Sequence, residues 1–268
     1  MHPIEHLRYV ARAHGADPVE VAMGAADALA GISRDPAAAL VAARRLVEHH
    51  PTNAPLWSVC AHAVTSMDPY RDVDDLARRI ANDPTATNLV DALEGASTIC
   101  MIGWSGHLVD ALARRGDIHA LVVDSLGDGQ DALRYLSRRE VSCELVAPEG
   151  LASAAECADA TILSALAAGN DSVLCAGGSL ALAAVAYCVE QPVWMVASEG
   201  TRLPDGLFTA MVAGVRDRPD PWASGFDVVP HALVTSVFGP TITSGTADTL
   251  ARMKACPAAD ELLRRSVV

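Results

Sequence analysis

The sequence predicts an α/β protein in which a helical N-terminal domain is followed by a Rossmann-like domain with a mainly parallel sheet. Two observations predict this class. The pattern is helical throughout up to about Ala96. From Ser97 onward, short apolar runs alternate with helical stretches, which is typical of a buried parallel sheet covered by helices. We therefore expect two domains, at residues 1–96 and 97–268.

Prolines punctuate the helical half and mark the starts of its helices. At Asp17-Pro18 and Asp35-Pro36 the aspartate can accept hydrogen bonds from the first free backbone N–H groups, while the proline occupies the first helical position. His49 and His50 precede Pro51 at the end of a helix, where histidines favour the negative end of the helix dipole. We interpret these two histidines as a helix cap rather than as metal ligands.

Five apolar runs of the second half are predicted strands, and helical stretches separate them. The strands are expected at Thr98–Ile102, Ala120–Val123, Cys143–Val146, Val173–Cys175 and Val193–Val196. The helices are expected around residues 106–115, 129–138, 151–167 and 179–189.

An uncharged run extends from Ser172 to Val189 and raises the question of a membrane span. Its eighteen residues only just reach the ~18 to 20 that a bilayer core demands, and Gly177-Gly178-Ser179 interrupts them. A short strand, a glycine turn and a helix rich in alanine and leucine explain the run better. We therefore predict no membrane span and a strand-to-helix corner at the glycines.

The composition excludes several classes of partner. The chain of 268 residues is 51% hydrophobic and has a formal net charge of −13, so it can bury a large core but repels nucleic-acid backbones and anionic lipids. No signal-like segment opens the sequence, and the seven cysteines include no C-x-x-C motif. We predict a cytoplasmic protein with reduced thiols and with no disulfide, structural zinc or cofactor.

Three corners at the carboxyl ends of predicted strands are candidate ligand sites, because helix N-termini there offer free N–H groups. They lie at Gly103–His107, Asp124–Asp131 and Ala176–Ser179. None has the spacing of a dinucleotide or phosphate loop, so a simple tight turn is the alternative at each. The backbone at Ser105-Gly106 and at Gly178-Ser179 can still bind a small anion.

Four segments, taken in order, carry a resemblance to a known family. They are HPTNAPLW at 50–57, ICMIGWSGHLVDAL at 99–112, LVVDSLGDGQDALRYLSRREVSCELV at 121–146 and FDVVPHALVTSV at 226–237. Together they resemble the alpha, beta and delta subunits of translation initiation factor 2B and their relatives methylthioribose-1-phosphate isomerase and ribose-1,5-bisphosphate isomerase. The resemblance implies a helical N-terminal domain, a Rossmann-like C-terminal domain and association through the latter.

The charged positions that the resemblance implies are missing. The isomerases of this family use a cysteine after the first strand, an aspartate after the fourth and basic residues on the substrate phosphate. In this chain the cysteine position holds Gly103, and two arginine positions hold His50 and Leu126. Aldose–ketose isomerisation needs a positioned acid/base pair and a phosphate clamp, which a glycine and a leucine cannot supply.

The aspartate position depends on the register, and three registers are open. With Asp171–Leu174 as the fourth strand the position holds Gly178, whereas an alignment backwards from Ser179 without a deletion places Ala165 there. A third register, in which residues 169–171 replace the family's Gly-Ala-Asp, retains an acid. We favour the first register, because the glycines then join the strand to the helix in one short turn.

The polar and glycine positions around the three corners are the candidate ligand-binding residues. His107 and Asp124 are expected to face the cleft if the resemblance holds, with solvated surface positions as the alternative. Trp104 can stack on a ligand, although packing in the core or in a dimer interface explains it better. No residue is assigned a catalytic or metal-binding role. The full set is Trp104, Ser105, Gly106, His107, Asp124, Asp171, Gly177, Gly178 and Ser179.

The expected function is that of a binding or regulatory homodimer that has lost the isomerase residues and holds a small phosphorylated or anionic metabolite in the inherited pocket. The apolar segment 226–238 is the expected dimer contact. One alternative is an active sugar-phosphate isomerase or related enzyme that recruits Asp171, Asp124, His107 and Cys175. Another is a purely structural partner subunit. The apolar surroundings of Cys175 in sequence favour inert packing.

Overall fold

The computed structural model describes residues 3–12, 17–217, 219–241, 250 and 253–264, which divide into two compact units. The first unit comprises the chain up to Asp83, the segment Glu199–Asp217 and the segment that begins at Lys254. The second comprises Pro84–Ser198 and the described residues from 219 to Met253.

The helices with described bounds are distributed over both units. Helices α1 to α5 and α11 belong to the first unit, and α6 to α10 belong to the second. They are α1 (Pro3–Arg12), α2 (Pro18–Ala30), α3 (Pro36–His49), α4 (Ala54–Thr65), α5 (Pro69–Ala81), α6 (Thr85–Ala92), α7 (Gly106–Arg115), α8 (Asp128–Arg138), α9 (Leu151–Cys157), α10 (Ser179–Cys188) and α11 (Asp205–Arg216).

The predicted Asp-Pro helix starts are confirmed. Asp17 accepts hydrogen bonds from two N–H groups of α2 at 2.8 and 3.4 Å, and Asp35 accepts two from α3 at 3.1 and 3.0 Å. These bonds satisfy N–H groups that the first helical turn leaves without a partner. His49 ends α3 and His50 follows it as the C-terminal cap, with its Nε2 atom 2.8 Å from the carbonyl of Val10.

Helix α4 is the centre of the first unit. All of its residues from Ala54 to Ala63 are buried, which fits a helix that is apolar on every side. Ser58 and His62 are the polar exceptions. The Ser58 hydroxyl donates to the carbonyl of Gly200 at 2.7 Å, and His62 Nδ1 lies 2.8 Å from the Ser58 carbonyl.

The second unit is built on a six-stranded, fully parallel sheet of order β3-β2-β1-β4-β7-β9, with a separate antiparallel sheet of order β5-β6-β8. The strands are β1 (Thr98–Ile102), β2 (His119–Val123), β3 (Cys143–Val146), β4 (Ala160–Ser164), β5 (Ala167–Ala168), β6 (Ser172–Ala176), β7 (Val193–Val196), β8 (Phe226–Pro230) and β9 (Ser236–Phe238).

The structure corrects the predicted order of strands at one place. The fourth parallel strand is β4, inside the stretch 151–167 that the sequence pattern predicts to be a helix. Helix α9 ends at Cys157, and all five residues of β4 are buried. The run at 172–176 forms the antiparallel strand β6 instead. A fully buried strand lacks the alternation that would distinguish it from a helix.

The two compact units do not coincide with the expected domains at 1–96 and 97–268. Helix α6 lies in the second unit, because Leu89 and Leu93 share a buried apolar cluster with Ile99 and Met101 of β1. In the other direction, the segment Glu199–Asp217 and the segment from Lys254 belong to the first unit. The amino-acid composition does not change at the start of either segment, so the sequence gives no sign that the chain re-enters the first unit.

Candidate functional site

A cleft of about 290 Å³ opens in the second unit at the carboxyl ends of β1 and β2. Ile102 and Val123, the last residues of these strands, line it. Parallel sheets bind ligands beyond this edge. Residues from the segment 222–227 contribute a further part of the lining. The predicted residues that line the cleft are Asp124, Gly177 and Gly178, together with Leu126 from the resemblance.

The corner between β6 and α10 is already occupied by a carboxylate of the chain itself. Asp227 Oδ2 accepts hydrogen bonds from the N–H groups of Gly178 at 2.9 Å and Leu180 at 3.0 Å. Gly177 N–H donates to the carbonyl of Gly225 at 2.7 Å. The prediction that this corner offers free N–H groups to an anion is therefore wrong for Gly177 and Gly178.

Ser179 also differs from its predicted role as the cap of α10. Its side chain is fully buried, and its hydroxyl has no hydrogen-bond partner among the described residues. Gly178 precedes the helix with a φ of +91°, and a Cβ atom there would lie 2.8 Å from Ile102 Cδ1. The capping group is the distant Asp227, so Ser179 belongs to the packed interior behind the cleft.

Asp124 lines the cleft and orients the turn that follows β2. Its two carboxylate oxygens accept hydrogen bonds from Gly129 N at 3.0 Å and Gly127 N at 3.1 Å. Burial, followed by the charges of Asp131 and Asp124, raises the pKa of Asp128 in the same turn. The described lining therefore contains two carboxylates, Asp124 and Asp227, and no arginine, lysine or histidine.

The residues of the corner after β1 make packing and helix-capping contacts. Trp104 makes an edge-to-face contact with Tyr135 at 5.5 Å between ring centroids, which fits the packing interpretation of this residue. Ser105 caps α7 by accepting from Leu108 N at 3.4 Å, and Gly106 is the first residue of the helix. Along with the half-buried His107, these candidates do not contribute to the described lining of the cleft.

Asp171 and Cys175 are the other two residues that an enzymatic interpretation requires. Asp171 is exposed in the turn before β6, at the opposite end of that five-residue strand from the cleft, a separation of about 17 Å. Cys175 is fully buried, and burial raises the pKa of its thiol well above the usual range. The structure therefore does not bring either residue to the cleft.

The residues that follow the first and fourth parallel strands are Gly103 and Ala165. Gly103 comes directly after β1 with a φ of +79°, and a Cβ atom there would lie 3.0 Å from the Cβ atom of Ala176. Ala165 comes directly after β4, and its N–H donates to the carbonyl of Val196 at 2.8 Å. This placement agrees with the second of the three registers rather than with the favoured first one.

The described residues contain neither a metal-binding cluster nor a membrane-crossing helix. No group of three or more His, Cys, Asp or Glu side chains there could hold a metal ion. In the same part of the chain, every helix is too short or too polar to cross a bilayer.

Sequence reasoning missed the wall of the cleft formed by Trp222, Ser224, Gly225 and Asp227. The only signal for it was the segment FDVVP, which the resemblance marked as specific without assigning a role to its aspartate. The pairing of β6 with β8 places Asp227 opposite Cys175, next to the glycine corner. This antiparallel pairing joins segments about fifty residues apart, so local patterns do not reveal it.

Fold and cleft together define a class of protein, in which a helical unit accompanies a Rossmann-like unit whose cleft lies at the carboxyl ends of its parallel strands. No protein-family model and no curated protein matches the chain. Solved structures of the same architecture do match.

Three of these structures carry the comparison. Translation initiation factor eIF-2B of Pyrococcus horikoshii OT3 is 16% identical, with a TM-score of 0.70 over 88% of this chain and 94% of that chain. The tetrameric eIF2B-beta2-delta2 complex of C. thermophilum is 14% identical, with a TM-score of 0.69 over 94% of this chain and 92% of that chain. The 5-methylthioribose 1-phosphate isomerase of P. horikoshii OT3 is 18% identical, with a TM-score of 0.64 over 94% of this chain and 87% of that chain. The chain has the fold of these proteins, which confirms the recognition from sequence at the level of the fold.

Proposed function

We propose that the chain is a non-catalytic binding or regulatory protein of the initiation factor 2B type that acts as an oligomer. The observation that supports this proposal is the chemistry of the cleft. Its described lining has two ionisable side chains, Asp124 and Asp227, and both carboxylates hold backbone N–H groups of their own chain.

Isomerase chemistry would require groups that the described lining of this cleft lacks. Moving a proton or hydride between adjacent carbons needs a positioned acid/base pair, and a sugar phosphate needs a cationic or N–H clamp. By the resemblance, the cysteine and aspartate positions of the isomerases correspond to Gly103 and Ala165, which have no ionisable group. The alternative enzyme was to recruit four residues. Asp124 lines the cleft, but its carboxylate holds two N–H groups of its own turn. Asp171, His107 and Cys175 do not line the cleft, so this alternative loses support.

We do not propose an anionic metabolite for this cleft, although the sequence suggested one. A phosphate would meet two carboxylates, and Asp227 already occupies the helix N-terminus that would attract it. An uncharged or cationic small molecule is the better fit. A thermal-shift comparison of ribose 5-phosphate with ribose and putrescine tests this, because a bound ligand stabilises the folded chain. Stabilisation by the phosphate alone would contradict the assignment.

The apolar surface of α10 supports self-association. Leu180 is 39% exposed and Tyr187, two turns later on the same face, is 61% exposed. An apolar helix face in contact with water is typical of an association surface. The segment 226–238, which the sequence suggested for this role, is largely used by β8 and β9 within the sheets. One similar solved structure is a tetrameric complex, which is consistent with assembly.

Light scattering on the purified chain tests this association. We expect a homodimer at micromolar concentration and a monomer for Leu180→Glu/Tyr187→Glu. Tyr70→Glu is the matched control, because Tyr70 is equally exposed, at 61%, on α5 of the other unit. A monomeric wild type would refute homodimerisation, and a monomer that assembles only with a different chain would favour the structural-subunit alternative.

The cytoplasm is the compartment that we propose for this protein. All seven cysteines are free thiols. Burial raises the pKa of the Cys100 thiol to about 12 and that of Cys256 to about 11, so these groups stay protonated and unreactive. Unpaired thiols are usual in a reducing compartment.

A further inference from the structure

A second, larger concavity lies in the first unit, on the side of the helices rather than at a strand edge. It is a groove of about 1020 Å³ between α1 and α3, and residues of the segment 31–34 that follows α2 also line it. Leu7 and Ala11 line it from α1, and Val41 and Leu46 line it from α3.

The floor of this groove is apolar and includes a large hydrophobic side chain that is exposed to solvent. Val41 is 45% exposed, although it lies in the middle of α3. Ala38, one turn earlier, and Ala42 also line the groove from α3, and Ala11 lines it from α1. Small side chains on both walls leave room for another backbone to approach closely, since packed helices lie about 8–10 Å apart.

The lining of the groove also includes three positively charged side chains. Arg12, Arg34 and Arg45 line the groove, and among the described residues none of them forms an ion pair. The acidic residue of the lining is Asp35, whose carboxylate already accepts two N–H groups of α3. The chain has a net charge of −13, so this positive surface opposes the overall charge of the molecule.

The dimensions of the groove indicate the shape of its occupant. The lining follows α3 from Asp35 to His49, which corresponds to a length of roughly 21 Å at the helical rise. The volume divided by this length gives a mean cross-section of roughly 50 Å², about half of the ~80–110 Å² of a helix with its side chains. An open groove of this size accommodates one face of a helix over about four turns.

We propose that this groove binds an amphipathic helix of a partner protein, with an apolar face toward Val41 and acidic side chains toward Arg12, Arg34 and Arg45. Helix-in-groove recognition uses apolar anchors at helical spacing, and unpaired guanidinium groups select carboxylates. A second copy of the chain is a poorer occupant. Its most amphipathic described helix, α5, already buries its apolar face within its own unit.

The proposal does not depend on the cleft of the second unit. Its test uses the full chain and a displayed library of helical peptides about fourteen residues long, randomised at apolar and charged positions. We expect the enriched peptides to have apolar residues at i, i+3, i+4 and i+7 and a net negative charge. A lysine-for-glutamate version of the best peptide should bind at least about tenfold more weakly, and added salt should weaken the acidic peptide.

Variants locate the binding. Arg34→Glu/Arg45→Glu and, separately, Val41→Asp should each weaken the acidic peptide at least about tenfold, measured by fluorescence anisotropy. Arg71→Glu/Arg134→Glu is the control of equal charge change, at arginines that are 76% and 64% exposed outside the groove, and it should leave affinity within about twofold. Equal effects of both pairs, or no enriched acidic peptide, would overturn the proposal. Dodecanoate, a small anionic amphiphile, is tested in the same assay. If it binds in an arginine-dependent way and no peptide binds, the groove is a site for a small amphiphile and the helix proposal is overturned.

Discussion

The carboxylate of Asp227 lies where a bound phosphate would lie in a glycine corner of this kind. It satisfies the N–H groups of Gly178 and Leu180 from a different strand, so the corner keeps its geometry without a ligand. We therefore expect this one side chain both to stabilise the turn and to keep anions from its N–H groups.

Replacement of Asp227 by alanine should therefore have two linked effects. The free energy of unfolding should fall by about 1–2 kcal/mol, because two N–H groups of the first turn lose their partner. Sulfate should then stabilise the variant more than it stabilises the wild type, since the freed N–H groups accept an anion. Urea unfolding with and without sulfate measures both, and Asp171→Ala, at an exposed turn, is the control. An unchanged stability and an equal sulfate effect would contradict this role.

The backbone and surroundings of Gly103 disfavour any side chain at this position after β1, where the resemblance expects a cysteine. It combines a φ of +79° with a Cβ position 3.0 Å from the Cβ atom of Ala176. Gly116 has a similar φ of +69° but no atom within 4 Å of its Cβ position. Gly116→Ala therefore measures the cost of the backbone conformation alone, about 1–2 kcal/mol. Gly103→Ala should cost about 1–3 kcal/mol more through overpacking. Equal losses in urea unfolding would show that the contact relaxes freely.

At the scale of the element, local patterns predict most of the second unit. The runs at β1, β3 and β7 and the helix at α7 have the predicted bounds, because apolar runs ended by glycine or polar residues leave few alternatives. The Asp-Pro pairs set the starts of α2, α3 and α5 by a local capping bond.

Strand β4 is the element that the local sequence pattern fails to predict. Its residues ATILS continue an alanine-rich stretch whose helix propensity is high, and burial on both faces removes any alternation. The same limit applies to the cleft. Asp124 follows β2 directly and could be predicted, whereas Asp227 reaches the corner through the pairing of β8 with β6, which has no local signature.

Helix α10 leaves part of an apolar run exposed to solvent. The sequence predicts a short strand, a glycine turn and a helix over residues 172–189. In the structure the inner face packs, with Leu182 and Ala183 fully buried, while Tyr187 remains exposed. An uncharged outer face is what an association surface requires, and the light-scattering comparison of Tyr187 with Tyr70 tests this.

At the scale of the whole molecule, the first unit contains a buried titratable group that couples its stability to pH. Burial, assisted by the charges of Arg79 and Lys254, lowers the pKa of His62 from its ordinary value of 6.5, while the Ser58 carbonyl and Asp72 act in the opposite direction. His62 is therefore neutral in the folded chain at neutral pH.

The sign of the resulting pH dependence follows from the lowered pKa. Below pH 6.5 the unfolded chain binds a proton at His62 that the folded chain does not. The free energy of unfolding should therefore decrease as the pH falls from 6.5 through the lower folded pKa, and the contribution should be fully present above 6.5. His62→Gln should show a smaller decrease in urea unfolding followed by the fluorescence of Trp57, which is buried in the same helix. A steeper decrease in the variant would contradict this account.

We propose that this chain, which shares the fold of initiation factor 2B, has no isomerase site, and direct measurement of turnover tests this proposal. Methylthioribose 1-phosphate and ribose 1,5-bisphosphate are each incubated with the purified chain, and the ketose product is followed by NMR. We predict no product above the rate without protein, because Gly103 and Ala165 supply no acid or base and the described lining of the cleft supplies no cation. Product formation at an ordinary enzymatic rate, lost in Asp171→Ala or Asp124→Ala, would contradict the claim.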